Sequence, residues 1–311
     1  MLMDFIFGDI FNYIGYLFGY VIWFFFELTK DYGISIILFA VLLNLLFLPL
    51  AIKRQKTMLD KSRMAEKQKE IQRKYGNDKR KLNEEMSKLY AEEGNPMSGC
   101  LTMMIQPLLL MGVVTCIYKP LQNILHISTS KISEAMSFLQ TIPGIGVTFG
   151  NNYGEIEVIK LFPFVQDKLT MFSSQELSNM FEFNKGFNFL GIDLLATPQY
   201  SSWQTGLWLI PVLSFLSYAL SMYITQKMQP MQNTNNGCMK YSFYIMPIFF
   251  AWIAYTVPAG VGFYWIVSSI IGIGQNVVLN KFYGVGILNA KREAARIALR
   301  REQEKDMKPI R

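Results

Sequence analysis

Residues Tyr241–Leu279 read YSFYIMPIFFAWIAYTVPAGVGFYWIVSSIIGIGQNVVL, without one Asp, Glu, Lys or Arg. Each half is close to the ~20 apolar residues that a helix needs to cross a hydrocarbon core. A helix on the surface of a soluble protein would show a charged face at the 3.6-residue period, and neither half does. Pro258, followed by Ala259-Gly260, divides the stretch into Tyr241–Val257 and Ala259–Leu279, and proline with glycine is the chemistry of a chain reversal. The stretch reads as two membrane-spanning helices joined by a tight turn.

Three further windows have the same character: Gly33–Ile52, Gly99–Tyr118 and Gly206–Thr225, again free of Asp, Glu, Lys and Arg. The fold class expected is therefore an all-α polytopic membrane protein with five transmembrane helices. Composition agrees, with 51% hydrophobic and 17% charged residues against roughly 25% charged in soluble domains. Cys100, Cys116 and Cys238 have no ligand spacing, so neither a disulfide framework nor a metal site is expected. The one histidine, His126, has no Cys or carboxylate beside it and reads as structural.

Basic residues in the connections set the orientation. Lys53–Glu93 holds 13 basic against 8 acidic residues, and Lys281–Arg311 holds 9 against 4. Pro120–Ser202 holds only Lys131, Lys160, Lys168 and Lys185 against 7 acidic residues. The 53–95 loop and the C-terminus are thus expected in the cytoplasm of a plasma-membrane protein, with the 120–202 segment outside.

The organisation expected is an N-terminal segment, 1–32; two spans with a cytoplasmic hairpin, 33–119; an extracytoplasmic loop, 120–202; three spans, 203–280; and a basic tail, 281–311. Ile10–Phe26 is uncharged, but Gly8, Asn12, Gly15 and Gly19 recur at helical spacing and make one face small or polar. It is read as an amphipathic helix in the outer interface rather than a sixth span, because a sixth span would put the acidic Asp4 and Asp9 inside. It lacks the basic n-region and small-residue cleavage site of a signal peptide, and no Cys precedes Cys100 to carry a lipid. The 53–95 loop reads as two charged helices joined at Tyr75-Gly76-Asn77-Asp78, the second with an apolar stripe of Leu82, Met86, Leu89 and Tyr90. In the outer loop, Thr141–Tyr153 carries turn residues and Glu155–Phe162 alternates like a strand.

Several function classes lack their residues. The windows hold no ionisable side chain for a proton or ion pathway, and there is no phosphate-binding loop, metal pattern or nucleophile elbow. No enzyme activity and no cofactor are expected, and DNA is not an expected partner. What the spans do hold is neutral and polar: Asn44, Gln106, Gln275 and Asn276, with Pro49, Pro107, Pro211 and Pro247 loosening backbone hydrogen bonds. Buried amides also serve simply as helix-to-helix hydrogen bonds, so Asn44 and Gln106 have a structural reading too. Met97, Met103, Met104 and Met111, and Met228, Met231 and Met239, form two clusters of adaptable apolar side chains.

The order of motifs carries a resemblance. Asn44-Leu-Leu-Phe-Leu-Pro49 precedes the charged hairpin; Asn95-Pro96-Met-Ser-Gly-Cys100 and Met104-Ile-Gln106 follow it. Phe189-Leu-Gly-Ile-Asp193, Val257-Pro-Ala-Gly260 and Phe263-Tyr-Trp-Ile-Val-Ser268 come later. Over residues 30–285 this resembles the YidC/Oxa/Alb3 family of membrane protein insertases, and a five-span core without a large outer β-domain is similar to its Gram-positive form. The resemblance implies a groove open to the cytoplasm and lipid, through which nascent membrane proteins are inserted and folded, alone or beside the Sec translocon. Asn44, Gln106, Leu110, Tyr264 and Trp265 would line that groove, with Lys53 and Arg54 at its cytoplasmic mouth. Lys291, Arg292, Arg296, Arg300 and Arg301 would meet the ribosome or anionic lipid of the bilayer. The family's groove arginine is absent: its position is Asn44. Pro107 stands directly after Gln106, one place earlier than usual. Two other classes remain as alternatives, a small-solute channel or transporter and a structural assembly subunit of a membrane complex.

Overall fold

The computed structural model describes the backbone of residues 2–93, 100–142, 154–228 and 237–306, with side chains omitted for 2–9, 92–93, 100–108, 237–244 and some positions of the hairpin and tail. Residues 95–99 of the Asn95–Cys100 motif, the turn residues of 143–153 and Met231 lie outside the described residues, as do the side chains of Cys100, Met103, Met104 and Met239.

The described residues are helical or irregular apart from one two-stranded ribbon. Helix α1 (Leu2–Thr29) leads through Lys30-Asp31 into α2 (Tyr32–Leu46), whose first turn is capped by the Asp31 carboxylate accepting from Ile34 N–H at 2.9 Å. Helix α3 (Leu48–Tyr75) and α4 (Lys79–Glu93) form the charged hairpin, with Met64 and Leu89 buried and Gln68 donating to the Tyr90 hydroxyl at 3.3 Å. The sequence reading begins this hairpin at residue 53, after an unbroken first span. Instead the chain bends by 51° at Phe47, and the inner end of the span and the first arm of the hairpin are one helix. Pro49 explains the break, since it lacks the N–H that would continue the preceding turn and suits the start of a new helix.

Helix α5 (Cys100–Tyr118) leads into the short α6 (Pro120–Asn123). The 120–202 segment, called the outer segment after its expected side, goes on with α7 (Thr129–Thr141), α8 (Gly154–Val165) and α9 (Ser174–Lys185), then a hairpin of β1 (Asn188–Phe189) and β2 (Ile192–Asp193). The strand expected over Glu155–Phe162 is therefore wrong. Ile156, Ile159 and Phe162 are buried at three-residue steps, a helical face, while Glu157 and Lys160 pair at 3.0 Å on the other side. In so short a stretch, Glu155 and Glu157 alternating with Ile156 and Val158 suit both periods. Helices α10 (Leu209–Met228), α11 (Gly237–Thr256) and α12 (Ala259–Tyr283) follow, and α13 (Val285–Asp306) forms the tail. Pro258 caps α12, as the tight turn required.

Ile10–Thr29, Leu209–Met228 and Ala259–Tyr283 are each long and apolar enough to cross a membrane, and the bent pair α2–α3 makes a fourth. Helices α5 and α11 have 19 and 20 residues, also of spanning length. Outward faces are apolar: Leu209, Val212, Leu213, Leu216 and Leu220 form a continuous exposed stripe on α10, a surface suited to lipid. On α1, Tyr13, Leu17, Tyr20, Phe24 and Leu28 are exposed. Its small face turns inward, and Gly19 lies so close to the backbone of Asn123 that no Cβ would fit. Asn12 accepts from the Lys119 ammonium at 3.2 Å.

The outer segment sits on the ends of α2 and α12. Gly186 C=O accepts from Tyr32 N–H at 3.0 Å, and Leu194 and Ala196 C=O accept from Gly260 and Ala259 N–H at 2.8 and 2.9 Å. These carbonyls satisfy donors that a helix start leaves without intrahelical partners. Tyr32, Phe183 and Phe187 form an aromatic cluster of edge-on and tilted rings with centroids 4.6–5.5 Å apart.

Candidate functional site: a mixed polar and apolar cavity between four helices

One stripe runs along α2 and across the bend into α3: Leu43, Asn44, Phe47, Leu50, Ala51 and Arg54, at steps of one, three or four residues. Such spacing keeps side chains on one face of a helix. On α12, Tyr264, Ser268 and Gln275 share a face and span roughly 16 Å at 1.5 Å per residue. With Leu109 and Leu110 of α5 they line a cavity of about 190 Å³. It is larger than one water needs, and its lining mixes amide, hydroxyl and guanidinium with leucine and phenylalanine. Apolar walls and polar groups that keep water within reach thus meet in one cavity.

Asn44 borders the cavity while its Nδ2 donates to Ala40 C=O at 2.8 Å, one turn back in its own helix. The described structure thus gives Asn44 a partner within α2 rather than across a helix interface. Leu110 and Tyr264 line the same cavity. Gln106 belongs to α5, but its side chain lies outside the described residues.

Trp265 departs from expectation. Adjacent helical residues point about 100° apart, and Trp265 turns away from Tyr264 to meet the ring of Phe250 on α11 edge-on, at 5.2 Å. It is not among the lining residues. Gln275 and Asn276 divide in the same way: Gln275 faces the cavity, whereas Asn276 donates to Thr225 of α10 at 3.2 Å and ties the inner ends of two spans.

The basic pair divides as well. Lys53 is exposed, but Arg54 is half-buried and lines the cavity. Beyond the bend at Phe47 the stripe continues from Leu50 to Arg54, which lines the cavity from α3. The sequence did carry a signal, since Leu43, Leu50 and Arg54 have helical spacing; an unbroken span ending at Ile52 conceals it. In the tail, Lys291, Arg296, Arg300 and Arg301 are exposed along α13, and the Arg292 side chain lies outside the described residues. Among the described residues no group of His, Cys, Asp or Glu is arranged to hold a metal ion.

The model of the 60Kd inner membrane protein family matches residues 24–285. The chain belongs to that family. It is a multi-pass protein of the cell membrane. A membrane protein insertase YidC of Treponema denticola is 28% identical over 260 residues, which cover 83% of this chain and 35% of that protein. One of Syntrophus aciditrophicus is 26% identical over 261 residues, 83% of this chain and 34% of its own. The chain therefore spans about a third of the length of these relatives. A third insertase of the same name, from Caldanaerobacter subterraneus, is 26% identical over 265 residues, 84% of this chain and 90% of its own. The matched region contains the cavity and the whole outer segment.

Proposed function

We propose that this chain is a membrane protein insertase that accepts nascent membrane proteins into the cavity of α2–α3, α5 and α12 and releases them into lipid. The observation that carries the reading is the cavity lining, in which Asn44, Arg54, Ser268 and Gln275 stand opposite apolar side chains. A segment entering there keeps its polar backbone hydrated while its apolar side chains find leucine and phenylalanine. Release into lipid is downhill by several kcal/mol for an apolar segment, so the step needs no covalent chemistry. The names of the relatives agree with this reading.

The groove is assigned Asn44, Arg54, Leu110 and Tyr264, with Ser268 and Gln275 added and Trp265 removed; Gln106, four residues before Leu110, is kept from the motif. Arg54 supplies the positive charge that position 44 lacks and draws acidic tails of incoming segments. The exposed α3–α4 hairpin receives the segment first, and α13 draws the ribosome through Lys291, Arg292, Arg296, Arg300 and Arg301, a salt-sensitive contact. The Sec translocon is a partner for part of the substrates.

We assign five crossings and an interfacial α1. Asn12 touches Lys119 at the outer end of α5, and Lys30 lies 3.5 Å from Glu182 of the outer segment. A spanning helix would separate positions 12 and 30 by roughly 27 Å of depth, yet both meet outer residues. The excess of basic residues puts the hairpin and tail in the cytoplasm.

The test is reconstitution of the purified chain into vesicles with a short single-span substrate. Protease-protected, correctly oriented substrate is expected. Solute flux without insertion would favour a channel, and insertion only in the presence of a co-purifying complex would favour an assembly subunit.

A further inference from the structure

The ribbon of β1 and β2 pairs Asn188 with Asp193 and Phe189 with Ile192, leaving Leu190-Gly191 as a two-residue turn. Both turn residues have positive φ, 53° at Leu190 and 82° at Gly191. Turns of this kind are made by asparagine, aspartate or glycine, which tolerate that backbone. A bulky leucine there is an outlier, and it is also 86% exposed. In water the residue is unfavourable twice, in its backbone and in its bare side chain.

The turn's position resolves the conflict. Phe189, next to it, fills the space a Cβ would need at Gly33, the second residue of α2, and its ring lies 5.1 Å from that of Phe263. Phe263 is four residues inside α12, roughly 6 Å along the helix. The hairpin is therefore wedged among the outer ends of two membrane helices, not held above them. Nearby in sequence, Trp203 and Trp208 stack at 4.1 Å directly before α10, where interfacial tryptophans belong.

We propose that the Leu190 turn is a lipid anchor: the leucine lies among acyl chains of the outer leaflet and holds the outer segment down on α2 and α12. Leucine is then favoured because the turn tip is out of water, and the left-handed backbone is tolerated for that contact.

The test is spin-label accessibility in lipid nanodiscs. Leu190→Cys is labelled in a background with Cys100, Cys116 and Cys238 replaced by alanine. Labels at Gln199, exposed in the outer segment, and at Leu216, on the outward face of α10, give the water and lipid references. The proposal expects collision with oxygen to dominate over collision with a water-soluble nickel complex at 190, as at 216. A profile like that of 199 overturns it, and so does a label shielded from both reagents, which would mean a protein contact. Leu190→Asn provides a second reading that leaves the turn able to form. Asparagine suits the left-handed turn, so a tip in water would raise the melting temperature in nanodiscs; the proposal expects it to fall.

Discussion

Arg54 and Asn44 divide a task at the scale of single side chains. Asn44 contributes an uncharged amide already bonded to Ala40, and Arg54, across the bend, contributes the charge lining the same cavity. A charge contact in a partly hydrated cavity is on the order of 1 kcal/mol. Arg54→Gln is thus expected to lower insertion of substrates with acidic N-terminal tails by about fivefold, while leaving neutral-tailed substrates near the original rate. Paired insertion assays with the two tails check this, and an equal loss for both would assign Arg54 a structural role. Asn44→Arg should be tolerated and should restore acidic-tail insertion in the Arg54→Gln background. Loss of all insertion on Asn44→Arg would instead show that position 44 has no room for a guanidinium. Asn44 was legible in the sequence because a lone amide in a charge-free run stands out. Arg54 was legible as a basic residue beside the span, but its place along the cavity was hidden by reading the span as unbroken to Ile52 across the 51° bend. Trp265 meets Phe250 although it follows Tyr264 in the motif, because adjacent helical residues point about 100° apart.

At the scale of elements, the outer segment is held to the spans by backbone hydrogen bonds and close packing, and a buried carboxylate ties α8 to α6 within it. Gly33→Ala would drive a methyl group into the Phe189 ring, and overpacking of this kind costs about 1–3 kcal/mol. A lowered melting temperature is expected, recovered in part by Phe189→Leu. Glu155 of α8 is 7% exposed and accepts from Gln122 N–H at 2.9 Å. Burial pushes its carboxyl up to about 7, against the opposing pull of the Gln122 and Leu121 N–H groups and the Lys119 charge. The folded state then holds the proton more tightly than the unfolded chain. Stability from this group is full below its unfolded value near 4.5, falls as pH rises, and is lost above about 7. Glu155→Gln keeps an acceptor and removes the titration. It should flatten the pH dependence of the melting temperature between pH 4.5 and 7 and raise stability at pH 8. An unchanged slope would mean that another group is responsible. The helices of this region were only partly readable: the apolar spans follow from composition alone, but α8 is short enough for its charges to mimic alternation. The hairpin arms were legible from charge and stripe, and their boundary was missed because Pro49 restarts a helix inside the apolar run.

At the scale of the whole molecule, the outer segment covers the ends of α2 and α12, and the described cavity lies inward of them, between α2–α3, α5 and α12. The proposed insertase would therefore take its substrate from the side away from the outer segment. The central claim is that a nascent segment occupies that cavity. Photo-crosslinkers at Asn44, Arg54 and Tyr264, compared with Trp265 and the lipid-facing Leu216, test it during insertion of a single-span substrate into reconstituted vesicles. The account predicts substrate adducts at the first three positions and few at the last two. Adducts at Leu216 and Trp265 with none at Asn44, Arg54 and Tyr264 would contradict it.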